Sequence, residues 1–392
     1  MSTLKVDAIR HNSATSDAIT MASDGTCTAK ITGMTGGGGL SNRNIIVNGD
    51  MRVAQRSVGP IAVSDNNNEG YQTIDRMRFG FGNSAAGACN ISQSTDAPTT
   101  LGFTKSHKTD VTTVNTTASG QQVIQMFYRI EGQDIRNSGW NHLSSSSFLT
   151  LSFYFKTTKT GTSKLPIMFR TRHGTNYYYV KNVTVTDPTN WNRYTVKVPG
   201  NSNLTINDLT TSGMSLNITY YSGPDKDTSS EGSWGSTNAY STSESTNYFD
   251  STSNDMFITG VQLEVGETAT SFEHRSFADE IQRCQRYYEK SYKYADAPGT
   301  STDSGSVMFL TNRSPGTAHT MLRYMTRKRA APTLVSYDPT QSNTTGMRNL
   351  DANATYSYSM NRNGETGCTA YPSGSLNLGQ FIQFHYTADA EL

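Results

Sequence analysis

Residues 148–157 read FLTLSFYFKT, and this stretch decides the fold class. Leu149, Leu151, Phe153 and Phe155 alternate with Thr150, Ser152, Tyr154 and Lys156. Successive side chains of an extended chain point to opposite faces, so the pattern describes a strand with one apolar and one polar side. Similar runs lie on both sides of it: VIQMFYRI (123–130), KLPIMFRTR (164–172), NYYYVKNVTVT (176–186), WNRYTVKV (191–198), SLNITYYSG (215–223) and MFITGVQLEVG (256–266). Each has strand length, is rich in β-branched and aromatic residues, and ends at Gly, Asn, Asp or Pro. Strands at this spacing with no helix between them predict a jelly-roll-like β-sandwich. Upstream, NIIVNGDMRVAQR (44–56) reads as two more strands around an Asn48-Gly49 turn.

Composition agrees. Only 34% of the 392 residues are hydrophobic, yet there are 21 Tyr and 15 Phe. Disordered chains lack such aromatics, whereas half-wet sheets use them. A net charge of +1 argues against a dedicated nucleic-acid binder. No apolar run approaches a membrane span, so no membrane insertion is expected. MSTLKVDAIRHNS lacks the apolar core of a signal peptide, which predicts assembly in a cytoplasm. Cys27, Cys89, Cys284 and Cys368 stand far apart and read as free thiols, not as a zinc or redox motif. The seven His residues show no metal-ligand spacing, and no cofactor is expected.

Four units follow from the punctuation. Residues 1–40 hold a short hairpin pattern around Asp24-Gly25 and end in the glycine run 36–39. So small a segment cannot bury its own core and reads as an attachment piece with a joint. Residues 41–275 form the sandwich body, interrupted by a Ser/Thr-rich insertion at 225–255. Residues 276–293 read as a helical connector of about four turns, capped by Ser276. Its Phe277, Ile281, Cys284 and Tyr288 lie at i, i+4, i+7 and i+11, a narrow apolar stripe. Such a stripe fits a seam between parallel helices, although packing on the chain's own sandwich accounts for it equally. Residues 294–392 form a smaller distal β-domain, with VMFLTNR, TMLRYMTRK, TLVSYD, TYSYSMNR and FIQFHYTA as its strands.

Three blocks carry a resemblance: STLKVDAIRHNSATSDAITMASDGT (2–26), NRNIIVNGDMRVAQR (42–56) and FITGVQLEVGETATSFEHRSFADEIQRCQRYYEKSY (257–292). Together they resemble tail fibre and receptor-binding proteins of tailed bacteriophages, marine and cyanobacterial ones especially. The resemblance covers about a quarter of the chain. It implies a homotrimer fixed to a phage tail protein through residues 1–40, carried on the virion and presenting β-domains to a host surface glycan. In that setting Phe277, Ile281, Cys284 and Tyr288 would line the threefold axis.

Catalytic signatures are lacking: there is no G-x-S-x-G, H-E-x-x-H, P-loop or G-x-G-x-x-G. A glycan-cleaving tailspike needs paired carboxylates. Asp187, Asp208, Asp225, Asp227, Asp250 and Asp255 could supply them, but turn chemistry explains these residues more simply. The chain is therefore expected not to be an enzyme. Sugar recognition by aromatic faces on polar loops singles out Trp234 and Tyr240 in the insertion, and Tyr337, Tyr356, Tyr358 and Tyr371 in the distal domain. The basic run RYMTRKRAAP (323–332) reads as a solvated strand end before it reads as a phosphate contact. A structural virion component with no receptor, such as a collar or capsid decoration protein, is the alternative.

Overall fold

The computed structural model describes residues 42–392 apart from 116–119, 312–318 and 375, and, before them, 6–10, 12, 13, 15, 19–21, 23 and 27–29. In the first segment, Ala8–Ile9, Ile19–Met21 and Cys27–Ala29 form a three-stranded antiparallel sheet. The Asp24-Gly25 turn and the glycine run 36–39 lie outside the described residues.

The chain is all-β, and its body is a sandwich of two six-stranded antiparallel sheets. One sheet runs Trp234–Gly235, Tyr178–Val185, Ser163–Thr171, Ser212–Ser222, Val123–Glu131, Arg78–Gly82. The other runs Asn192–Pro199, Phe148–Thr157, Asp255–Val265, Ser106–Thr113, Ala88–Ser94, Ile61–Ser64. The inward positions of the alternating runs meet in one core that includes Leu149, Leu151, Phe153, Phe155, Leu165, Ile167, Phe169, Leu216 and Ile218. Tyr248 and Phe249 of the Ser/Thr-rich insertion are fully buried in this core, so the insertion is anchored by its aromatic end.

The block 44–56 is a correction. It forms no strand pair, yet Ile46, Met51 and Val53 are fully buried. A buried irregular backbone needs other partners for its N–H and C=O groups. Side chains provide them. Asn48 Oδ1 accepts from Val53 N at 2.9 Å, while its Nδ2 donates to Val53 O and Asp75 O. Glu273 accepts from the backbone N–H groups of Asn42 and Asn44, and Glu280 from that of Asn48. Two blocks more than 200 residues apart in sequence are thus knitted together, with Arg52 Nη2 on Arg275 O and Gln55 Nε2 on Tyr288 O.

The helix is also shorter than its sequence pattern predicts. It spans Phe277–Gln285, with the Ser276 hydroxyl accepting from Asp279 N as expected of an N-cap. Tyr288–Lys290 is a strand pairing with Phe381–Asp389; consecutive large aromatics serve better in a ladder than in a further helical turn. Cys284 is fully buried and Tyr288 nearly so, both inside their own chain. Arg56 stacks over the Tyr288 ring at 3.7 Å. Ile281 is half-buried, and Phe277 is 41% exposed with its ring edge-on to Tyr294. Of the four stripe residues, two are therefore spent within the chain.

The C-terminal region is built round Phe381–Asp389, which pairs with Tyr288–Lys290, Val307–Leu310, Thr333–Tyr337 and Met347–Asn349. A three-stranded sheet of Thr320–Arg323, Gly367–Pro372 and Tyr358–Asn361 completes it. TYSYSMNR is two strands, Ala354–Tyr356 and Tyr358–Asn361, not one. Polar joints fasten this region to the body. Arg286 makes two 2.9 Å bonds to Glu131, Tyr287 donates to Glu131 at 2.6 Å, and Arg76 pairs with Glu391.

Candidate binding groove

In the sheet that contains Tyr178–Val185, alternation sends Ile124, Met126, Tyr128, Leu216, Ile218, Ile167 and Phe169 into the core. The residues between them must face away from it. Register then lines them up across strands. One row is Arg78, Phe127, Asn217, Met168 and Val180. The next is Arg129, Ser215, Arg170 and Tyr178. The insertion crosses this outer face. Ala239 is buried against Met168, Tyr178 and Val180, and Tyr240 follows it, fixed by its N–H on Lys226 O at 2.8 Å.

The result is a groove of about 210 Å³ walled by Arg78, Arg129, Arg170, Arg172, Phe127 and Tyr240, with Ser215 and Asn217 in its floor. Both floor side chains are almost fully buried. The guanidinium groups lie over aromatic rings: Arg78 and Arg129 over Phe127 at 5.0 and 5.7 Å, and Arg170 over Tyr178 at 5.3 Å. Cation–π contact holds such groups without satisfying their N–H donors. The Nε atoms of Arg78, Arg129 and Arg170 are buried without a hydrogen-bond partner, as is Asn217 Oδ1. Asn217 Nδ2 is engaged, donating to Gln125 Oε1 at 2.7 Å. Arg170 Nη2 meets the Asn176 amide oxygen at 2.9 Å when that amide is turned to suit its neighbours.

Electrostatics sharpen this. Among the described residues none of the four arginines forms an ion pair. The nearby carboxylate, Glu69, accepts from Phe81 N at 3.0 Å. Burial first, then repulsion from Arg78 and Arg170, lowers the proton affinity of Arg129. Burial and the charges of Arg129 and Arg170 push Arg172 down to about 10. The groove holds positive charge that the fold does not neutralise.

The residues singled out from sequence are distributed differently. Tyr240 lines the groove. Trp234 lies at the sheet edge, its Nε1 donating to Pro199 O at 2.7 Å and its ring 5.5 Å from that of Tyr179. Tyr356 and Tyr358 pack against the C-terminal core, and Tyr337 sits edge-on to Tyr292. The Tyr371 hydroxyl accepts from Asn361 Nδ2 at 2.7 Å. The basic run divides: Arg323, at the end of its strand, and Arg327 are exposed, as a solvated strand end requires, whereas Lys328 and Arg329 are used internally. Lys328 is fully buried beside Glu289, and Arg329 donates to the backbone oxygens of Ala390 and Glu391. Each of the six aspartates already has a polar side-chain partner: Asn190, Asn137, Gln121, Ser241, Lys159 and Lys108 in turn.

No protein-family model and no curated protein matches the chain. Solved structures resemble it at low scores. A putative sugar binding protein from Bacteroides thetaiotaomicron VPI-5482 is 12% identical, with 57% of this chain and 100% of that one covered and a TM-score of 0.30. The enzymatically active domain of tailspike protein 4 of bacteriophage CBA120 is 11% identical over 57% of this chain and 22% of that one, TM-score 0.30. A family 11 carbohydrate-binding module from Clostridium thermocellum is 8% identical over 53% and 96%, TM-score 0.27. At these scores the likeness transfers neither ligand nor activity.

Proposed function

We propose that the protein is a non-catalytic adhesin of the phage tail-fibre type, and that its sandwich body binds a host envelope glycan in the groove beside Tyr240. The observation that carries this is a cluster of guanidinium groups without ion-pair partners among the described residues, beside aromatic rings: Arg78, Arg129, Arg170 and Arg172 share one groove with Phe127 and Tyr240. Guanidinium N–H groups donate to sugar oxygens, and a sugar ring offers an apolar face to an aromatic side chain such as Tyr240. The groove is open and lies on a sheet face, a shape that accepts an extended chain. Attachment through residues 1–40 and homotrimerisation belong to the same proposal. Three copies would multiply weak contacts by avidity.

The test is binding of the purified protein to host cells and to their extracted envelope polysaccharide, beside the Tyr240→Ala and Asn217→Ala variants. Binding weakened at least tenfold by either variant supports the proposal. A wild type that ignores cells and polysaccharide points to a collar or decoration protein and overturns it; release of shortened glycans would make it a tailspike enzyme. Mass by light scattering tests the trimer. Deleting 294–392 is a poor test, because it strips Arg76 and Tyr288 of their C-terminal partners.

A further inference from the structure

We infer that the ligand of this groove is an acidic saccharide, with carboxylate or sulfate groups repeated along the chain; this rests on the glycan-binding reading above. Four arginines converge on one groove in a protein whose net charge is only +1. A fold that merely tolerated them would pair them, as it pairs Arg56, Arg76, Arg275 and Arg286 with Glu or Asp elsewhere. Here four guanidinium groups share one groove with a single carboxylate, Glu69, and an incoming anion relieves their mutual repulsion.

The residue type also matters. The guanidinium fork matches the two oxygens of a carboxylate or sulfate, which a lysine point charge does not. Arg129 and Arg170 flank Ser215 in one cross-strand row, so two forks face the groove from opposite sides of a small floor residue. Phe127 holds the guanidinium groups of Arg78 and Arg129 over its ring, which places both at the groove wall. Tyr240, partly exposed in the same wall, offers a ring face that an inorganic anion has no apolar surface to use. The combination therefore favours a charged sugar over a bare anion.

Full-length protein is titrated at fixed salt with polygalacturonate, dextran sulfate, neutral dextran and inorganic polyphosphate. Wild type should bind one or both acidic saccharides, weaken as salt rises, and bind neutral dextran at least tenfold less tightly. Whether the carboxylate or the sulfate polymer wins identifies the acidic group. Arg129→Gln and Arg170→Gln should each cost tenfold to a hundredfold, the range for a charge-assisted hydrogen bond. Arg129→Lys should lose part of that, while Arg327→Gln, on the exposed side chain paired with Glu365, should lose none. Unchanged thermal midpoints exclude misfolding as the cause; among the described residues the Arg129 side chain donates no hydrogen bond, and that of Arg170 meets the Asn176 amide oxygen near the surface. Polyphosphate binding as tight as that of the saccharides would overturn the saccharide assignment. Acidic binding kept by both Gln variants would overturn the site. If envelope glycan binds and depends on Tyr240 but acidic polymers do not, adhesion stands and the charge inference falls. If no saccharide of any kind binds, both fall.

Discussion

Replacing Lys328 by Met should destabilise the protein by about 3–5 kcal/mol, the cost of leaving one buried charge unpaired. The Lys328 and Glu289 side chains are both 0% exposed, with Nζ 2.5 Å from Oε2. Lys328 also donates to Gln285 O at the end of the helix, and its ammonium lies 5.4 Å from the Tyr324 ring centroid. Glu289 accepts further from Tyr386 at 2.8 Å and from Met325 N at 3.0 Å. Helix end, connector strand and central C-terminal strand thus converge on one ion pair. Burial lowers the proton affinity of Lys328, and Glu289 opposes this. Met fills the stem's volume but leaves the carboxylate with neutral donors only. Glu289→Gln should cost a similar amount by stranding the ammonium. The double variant removes both charges and keeps an amide oxygen for Tyr386 and Met325, so it should cost only about 1–2 kcal/mol, well below the sum. Urea unfolding followed by near-ultraviolet tyrosine dichroism reads all three. A Lys328→Met loss under about 1 kcal/mol, or a double variant equal to the sum of the singles, refutes the reasoning.

Further expectations rest on other sites. Burial holds the His107 imidazole down at about 4, against an ordinary 6.5. The folded state therefore stays neutral while the unfolded chain protonates below pH 6.5. This contribution is intact above pH 6.5 and falls as pH drops toward 4, by roughly 3 kcal/mol in total. His107→Gln should flatten that part of the stability profile, measured as denaturation midpoints at several pH values against wild type. Gly260 has φ +63, and a Cβ there would sit 2.8 Å from the Phe103 and Tyr154 rings, so Gly260→Ala should cost about 1–3 kcal/mol by thermal unfolding. Cys89, Cys284 and Cys368 are buried free thiols whose proton affinity burial raises. Ellman's reagent should leave these three unmodified in native protein and label them in denaturant, as peptide mapping would show.

Much of the body was legible because packing and pattern agree. Leu149 to Phe155 alternate in sequence and face the core, and so do Leu165, Ile167 and Phe169. The strands Arg78–Gly82 and Ala88–Ser94 offer too few apolar residues for a clear period, and in Ser106–Thr113 the buried positions include His107 and Thr109, so the pattern does not read as a strand with one apolar face. The block 44–56 looked like a hairpin because strand propensity says nothing about which side chains will satisfy a buried backbone. In the helix the 3.6-residue period ran on into Tyr288 by coincidence, and pairing with Phe381–Asp389 overrode it. Tyr240 was found from its loop. The arginines were not, since Arg78, Arg129, Arg170 and Arg172 come from three regions of sequence that only cross-strand register brings together. A signal existed: Arg129 and Arg170 occupy outward positions in two of the clearest alternating runs.

Phe381–Asp389 is a single nine-residue strand with four partners. During synthesis, Tyr288–Lys290, Val307–Leu310, Thr333–Tyr337 and Met347–Asn349 all leave the ribosome before the strand that completes their ladders. Until it arrives, their unpaired edges can template one another or a neighbouring nascent chain. Ribosomes stalled short of residue 381 should therefore hold a chain with sticky strand edges and with Arg76 still lacking Glu391, and chaperone demand in a producing cell should centre on that interval.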